Sequence, residues 1–74
     1  MLKNVRYGDG RHPLETDGVK SAIAEAEASL SGKGRLLIRK SGTEPLIRVM
    51  AECEDAGILT RAVDHVVQAV EAAA

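Results

Sequence analysis

Residues 35–52 read RLLIRKSGTEPLIRVMAE, two apolar runs rich in Leu, Ile and Val that are separated by small and polar residues. Both runs are too short for ordinary helices, and β-branched residues favour extended structure. Residues 35–39 and 46–52 are therefore predicted to be two strands joined by the Ser-Gly-Thr-Glu-Pro connection, in the simplest case as a hairpin. Because side chains alternate along a strand, Arg48 is expected on the opposite face from the more apolar row.

Two amphipathic helices are predicted, one before and one after this strand pair in the sequence. Thr16 or Asp17 can cap the first helix, and Gly32 is expected to follow its last turn. Asp55 can cap the second helix. The apolar stripes at helical spacing are Val19, Ile23, Ala26 and Leu30 in the first helix, and Leu59, Val63, Val66, Val70 and Ala73 in the second.

A further strand is predicted at the start of the chain. Residues 2–7 alternate loosely, with Val5 and Tyr7 on one face and Asn4 and Arg6 on the other, and they end at the turn signal Gly8-Asp9-Gly10. The element order is then βαββα. This order predicts the α+β class, as a two-layer sandwich with both helices on one face of the sheet.

Composition narrows the classes of function. The 74 residues make one small domain, and its net charge of −1 with only Tyr7 able to stack on a base argues against nucleic-acid binding. Cys53 is alone, so an intramolecular disulfide is excluded, and together with His12 and His65 it gives no recognisable metal site. No apolar run approaches a membrane span, and a signal-peptide core is lacking. We expect a soluble protein of the reducing cytoplasm, with no membrane partner.

The connection between the two strands has the chemistry of a phosphate-binding loop. Ser41 and Thr43 can each donate a hydroxyl hydrogen bond, and Gly42 lets backbone N–H groups come close to a ligand. Arg39 and Arg48 offer planar donor forks that match phosphate oxygens. The alternative is that these residues form a plain turn, since Ser, Gly and Pro are ordinary turn residues.

The same residues carry a resemblance to a known superfamily. Arg-Lys-Ser-Gly-Thr-Glu-Pro-Leu-Ile-Arg-Val-Met, residues 39–50, resembles the C-terminal phosphate-binding loop of the α-D-phosphohexomutases, and its continuation from Leu46 to Met50 is most similar to the phosphoglucosamine mutase branch. The resemblance extends over nearly the whole chain. It implies that residues 1–74 are the last of four domains. It also implies a TATA-binding-protein-like fold with a mixed or mostly antiparallel sheet and a fourth short strand that the sequence does not locate.

The resemblance also implies an activity for the whole enzyme. Phosphoglucosamine mutases interconvert glucosamine 6-phosphate and glucosamine 1-phosphate through a phosphoserine enzyme and a bisphosphorylated sugar, on the route to UDP-N-acetylglucosamine and the cell wall. The nucleophilic serine and the Mg²⁺-binding aspartates belong to the earlier domains. We therefore expect no catalytic residue, no metal site and no cofactor in this chain. Its expected partners are the phosphosugar substrate and the other domains.

Carried over residue by residue, the phosphate contacts of the family fall on a compact set: Arg39, Ser41, Gly42, Thr43 and Arg48. Glu44 is an anion beside this site, so it is expected either to turn away onto Arg39, Lys40 or Arg48, or to reach a sugar hydroxyl or amine. Pro45 is expected to stiffen the exit of the loop.

Three alternatives remain open from the sequence. The first alternative is the C-terminal domain of a phosphomannomutase or phosphoglucomutase, since these enzymes share the Arg-x-Ser-Gly-Thr-Glu-Pro core. A free-standing anion-binding module is the second alternative. The third is a dimerisation module that uses a strand edge or the apolar stripe of the last helix, with the loop serving only as a turn.

Overall fold

The computed structural model describes residues 1–8 and 10–73 and has two layers, a sheet and a pair of helices. Its elements are β1 (Leu2–Arg6), a 3₁₀ turn (Pro13–Glu15), α1 (Asp17–Leu30), β2 (Gly34–Lys40), β3 (Leu46–Cys53) and α2 (Ala56–Ala73). The three strands are antiparallel in the order β1-β3-β2. The predicted α+β class and βαββα order are confirmed. Within the described ranges the sheet has no fourth strand, and Asp9 of the predicted Gly8-Asp9-Gly10 turn lies outside them.

The helix boundaries follow from local hydrogen bonding. Thr16 is the N-cap of α1, and its hydroxyl oxygen accepts a hydrogen bond from the Val19 N–H at 3.3 Å. Gly32 lies just beyond the end of α1 with a φ of +77°, a left-handed conformation that glycine adopts without a steric penalty. One carboxylate oxygen of Asp55 accepts from the Gly57 and Ile58 N–H groups at 2.9 and 3.0 Å. The predicted caps are confirmed, and both helices are therefore anchored by the residue types the sequence offered.

The core lies between the helices and one face of the sheet. Strand β3 is central, and its alternate residues Ile47, Val49 and Ala51 are buried in one apolar cluster with residues of both helices. The helices supply further fully buried side chains, Val19, Leu30, Val63, Val66 and Val70, and the 3₁₀ turn supplies Pro13. Burying one such aliphatic side chain stabilises the fold by about 1.5 to 3 kcal/mol. Because these residues fix one face of β3 inward, its other residues must face outward.

The opposite face of the sheet, which we call the open face, carries no helix. It consists of Leu2, Asn4 and Arg6 from β1, Arg35, Leu37 and Arg39 from β2, and Leu46, Arg48, Met50 and Glu52 from β3. These side chains form rows across the strands. One row is apolar, with Leu2 and Leu37 on either side of Met50 and exposed by 54% and 46%. The next row toward the 41–45 loop is polar and cationic.

No helix in the described part of the chain combines the length and the apolar character that crossing a bilayer requires.

Candidate phosphate-binding site

Two arginines face each other at the loop end of the sheet. Arg39 of β2 and Arg48 of β3 are direct register partners on the open face, and both are exposed. Side chains opposite each other in an antiparallel pair lie close together, and like charges in this position destabilise the pair. Among residues 1–8 and 10–73, neither guanidinium has a carboxylate within ion-pair distance. The arrangement therefore concentrates positive charge that an anion would neutralise.

The connecting loop spans residues 41–45, and only the pair of Lys40 and Ile47 lies between it and the two arginines in the β2–β3 ladder. The Ser41 N–H donates to the Leu46 carbonyl at 2.9 Å, which closes the loop at its base. The Ser41 hydroxyl oxygen accepts from the Thr43 and Glu44 N–H groups, both at 3.4 Å. Bonds of this length are weak, and they leave the hydroxyl hydrogen of Ser41 able to donate to a ligand.

Gly42 lies at the tip of this loop. Its φ is not positive, and a Cβ atom added there would have no atom within 4 Å. The surrounding chain therefore gives no steric reason for glycine at this position. The space above its backbone is open, so that an anion can approach the loop closely.

Glu44 turns away from the two arginines, but its partner differs from the predicted ones. A carboxylate oxygen of Glu44 lies 3.2 Å from a terminal guanidinium nitrogen of Arg6, in β1. The expectation of an ion pair with Arg39, Lys40 or Arg48 was wrong. The reason is the sheet order: β1 lies beside β3, and Arg6 is the register partner of Leu46, the first residue after the loop. The alternative contact with a sugar stays a prediction.

The strand β1 contributes a second polar side chain that sequence reasoning did not assign to the site. Asn4 is the register partner of Arg48 on the side away from Arg39, so one row of the open face reads Asn4, Arg48, Arg39. Its amide can both donate and accept hydrogen bonds. The alternation of residues 2–7 placed Asn4 and Arg6 on one face, but only the pairing of β1 with β3 brings that face to the loop.

The loop is also held from the side of β1 and from the covered face of the sheet. The Tyr7 N–H donates to the Pro45 carbonyl at 3.0 Å, which fixes the loop exit. The Lys40 ammonium lies 5.9 Å from the centre of the Tyr7 ring, at cation–π distance. Because Lys40 pairs with buried Ile47, it lies on the opposite face from Arg39 and is not part of the arginine pair.

The remaining titratable side chains lie elsewhere. His65 of α2 and Glu25 of α1 bridge the two helices, with a ring nitrogen and a carboxylate oxygen 2.6 Å apart. His12 faces Glu15 at 4.0 Å. Within the described ranges, no three His, Cys, Asp or Glu side chains are grouped closely enough to hold a metal ion. The residues that the sequence singled out for phosphate binding are thus brought together, whereas the two histidines and Cys53 are not.

Comparison with known proteins identifies the family. The family of the phosphoglucomutase/phosphomannomutase C-terminal domain matches residues 2–69, most of the chain. The chain belongs to this family. The matched stretch contains the whole sheet, both arginines and the loop between them.

The curated relatives are similar over almost the full chain. It is 71% identical over 70 residues to a phosphoglucosamine mutase of Ruegeria pomeroyi, covering 95% of this chain and 16% of the relative. Against the phosphoglucosamine mutase of Dinoroseobacter shibae it is 72% identical over 72 residues, 97% of this chain and 16% of the relative. For the enzyme of Zymomonas mobilis the values are 64% over 74 residues, 100% and 16%.

These relatives confirm the resemblance seen in residues 39–50, including its similarity to the phosphoglucosamine mutase branch. The chain spans only about one sixth of the length of the relatives it matches. The chemistry of the whole relatives therefore does not pass directly to this chain.

Proposed function

We propose that this chain is the substrate-phosphate-binding part of a phosphoglucosamine mutase. In this role it binds the phosphate group of glucosamine 6-phosphate or glucosamine 1-phosphate through Arg39, Arg48 and the 41–43 loop. The observation that carries the proposal is the direct pairing of Arg39 with Arg48, without a carboxylate on either within the described residues. A turn that served only to reverse the chain would gain nothing from two like charges facing each other at its base.

The energetics favour an anion at this place. An exposed ion pair contributes only about 0 to 1 kcal/mol, whereas a hydrogen bond to a charged group contributes about 1.5 to 3 kcal/mol. Two guanidinium forks and two hydroxyl groups around one phosphate provide several such bonds. The Gly42 tip leaves the space that the phosphate oxygens need.

The role of the chain in the reaction would be to position the substrate. Holding the phosphate that does not react uses binding energy from a remote part of the substrate to orient the reacting end. The site contains hydrogen-bond donors suited to phosphate oxygens and few groups that would recognise a sugar ring. It is therefore suited to bind either the 1-phosphate or the 6-phosphate. A bisphosphorylated intermediate that reverses its orientation during the reaction requires both.

Phosphoryl transfer itself is assigned to other parts of the enzyme. We assign any magnesium-dependent step to those parts as well, as the resemblance implies. Where magnesium is bound elsewhere in such an enzyme, it would stabilise the charge of the transferring phosphoryl group. We expect the 74-residue chain alone to bind phosphate and to have no mutase activity.

A titration of the ¹⁵N-labelled chain tests the proposal. Glucosamine 6-phosphate and inorganic phosphate are added separately, and unphosphorylated glucosamine is the matched control for the sugar. We expect chemical-shift changes centred on residues 39–48 with both phosphates and none with glucosamine. Arg39→Ala should reduce the affinity for both phosphates at least about tenfold, the loss of one charge-assisted contact, while the dispersion of the remaining signals is kept.

Two results would contradict the proposal. Absence of shifts with both phosphates at tens of millimolar would exclude an autonomous phosphate site, and an unchanged affinity in Arg39→Ala would exclude the arginine pair. The mutase assignment has a separate test, in which this chain replaces the matching segment of the Ruegeria pomeroyi relative. Restored interconversion of the two glucosamine phosphates supports it, and an inactive but folded hybrid argues against it.

A further inference from the structure

We propose that Arg6 is a positioning residue whose task is to hold the Glu44 carboxylate away from the phosphate site. The proposal rests on the proposed function and extends it to a residue that neither the loop motif nor the comparisons assign. It explains how a loop with a glutamate next to its Ser-Gly-Thr segment can bind an anion.

Glu44 is the one acidic residue of the 41–45 loop, and its position makes it a competitor for the arginines. The loop joins the strands that carry Arg39 and Arg48, so its side chains can reach either guanidinium. A carboxylate paired with one of them would neutralise part of the charge that attracts phosphate. A free carboxylate nearby would repel the phosphate directly.

The geometry around Arg6 prevents both effects. Arg6 lies on the open face opposite Leu46, and its guanidinium lies 3.2 Å from the Glu44 carboxylate. The backbone of Glu44 is restrained mainly by its carbonyl, which accepts from the Leu46 N–H at 2.7 Å, and only weakly by its N–H, which donates to the Ser41 hydroxyl oxygen at 3.4 Å. Arg6 of strand β1 thus pairs with the one acidic side chain of the loop.

The ion pair itself is a weak contributor to stability. Both side chains are more than half exposed, at 70% for Arg6 and 53% for Glu44, and exposed pairs contribute little to folding. Its effect is expected instead on the local charge next to Arg39 and Arg48, for which the described part of the chain supplies no carboxylate partner. A structural role and a positioning role can therefore be separated by measuring stability and phosphate affinity in the same variants.

Three variants distinguish the possible roles: Arg6→Gln, Glu44→Gln and the double variant. In each, the dissociation constants for inorganic phosphate and for glucosamine 6-phosphate are measured by ¹⁵N shifts. Arg6→Gln releases an uncompensated carboxylate beside the site, so we expect affinity to fall about fivefold, the effect of one unit charge a few ångströms away in water. Glu44→Gln should bind at least as tightly as the unaltered chain. The double variant should recover the unaltered affinity.

The recovery in the double variant is the decisive result. If Arg6 instead donates directly to the phosphate, the double variant will stay as weak as Arg6→Gln, and the proposal is overturned. If the ion pair only stabilises the fold, Glu44→Gln will lower the melting temperature and the affinity as much as Arg6→Gln does, which also overturns it.

Arg35→Gln provides a control for net charge. Arg35 lies on the same open face and is also paired with a glutamate, Glu52, but at the far end of the sheet. The Arg35→Gln variant should leave both affinities unchanged. An equal loss of phosphate affinity in Arg35→Gln and Arg6→Gln would show that the effect comes from overall charge and not from the position of Arg6. Arg39→Ala separates the two levels of inference: if it has no effect, the phosphate site itself is wrong, whereas loss in Arg39→Ala without recovery in the double variant rejects only the role of Arg6.

Discussion

The two ends of the β2–β3 ladder carry the same residue type in opposite electrostatic situations. At the far end Arg35 faces Glu52, and the two form an ion pair. At the loop end Arg39 faces Arg48, and neither has a carboxylate partner among the described residues. At the far end the two opposite charges neutralise each other, and the ion pair joins the two strands of the hairpin. At the loop end two facing positive charges are left unneutralised among the described residues, and this pair, rather than the number of arginines, is the basis of the proposed phosphate site.

The largest expected effect is on the free energy of unfolding, because the backbone is packed more tightly at the far end than at the loop end. A Cβ atom at Gly34, at the far end, would lie 1.9 Å from the Glu52 carbonyl oxygen, whereas one at Gly42 would meet nothing. Gly34→Ala should therefore destabilise the fold by about 3 kcal/mol, the upper range for overpacking. Gly42→Ala is the matched control and should change the unfolding free energy by less than about 0.5 kcal/mol. Urea denaturation of both variants checks this, and equal stabilities would contradict it.

The next effect converts the loop end into a copy of the far end. Arg48→Glu places a carboxylate opposite Arg39, as Glu52 lies opposite Arg35. We expect phosphate affinity to fall at least about a hundredfold, because one strong contact is lost and a repulsive charge is gained. Stability should stay equal or rise slightly. Phosphate titration and thermal unfolding measure the two quantities, and retained binding would show that the arginine pair is not the site.

The reverse change makes the far end resemble the loop end. Glu52→Arg creates an arginine opposite Arg35, without a loop of hydroxyl residues beside it. We expect a stability loss of about 0.2 to 1 kcal/mol that diminishes at high salt, since screening weakens repulsion between exposed charges. No phosphate shifts should appear around residue 52. Strong phosphate binding there would mean that two facing arginines suffice and that the 41–43 loop is dispensable.

The smallest expected effect is a dependence of stability on pH. It arises from the Asp55 carboxylate that caps α2, beyond the far end of the ladder, and not from the arginines. Hydrogen bonds from the backbone N–H of Ile58, and then of Gly57, lower the pKa of Asp55 below its ordinary value of 3.8. A lowered folded-state pKa means that its contribution to stability is present above pH 3.8 and is lost as pH falls through the folded value. Acid unfolding of the chain and of Asp55→Asn tests this. The variant should show a weaker dependence on pH below that value, and identical profiles would contradict the cap.

Much of the fold was predictable because it depends on local chemistry. Thr16 and Asp55 cap helices because their side-chain oxygens reach backbone N–H groups two or three residues on. The alternation of apolar residues along β3 predicted that Arg48 faces away from the core, and the structure agrees. The residues of the 41–45 loop lie together because they are adjacent in sequence, and their binding of phosphate stays a prediction.

The partner of Glu44 was not predictable, because it lies 38 positions away in the chain. Nothing local in residues 41–45 favours Arg6 over the nearer cations Arg39, Lys40 and Arg48. The choice follows from β3 lying between β1 and β2, which brings Arg6 of β1 opposite Leu46 at the exit of the loop. Asn4 joins the arginine row for the same reason.

The sequence by itself determined the elements, their caps, the residues of the loop and the outward face of Arg48, because periodicity and capping act over a few residues. Only the tertiary structure decided that Arg39 faces Arg48 and that Arg6 holds Glu44. Both depend on register and strand order, and a register shift of one residue would move Arg39 opposite a side chain of the buried face. The register of the β2–β3 hairpin and the pairing of the distant strand β1 with β3 therefore bring the residues of the candidate site together.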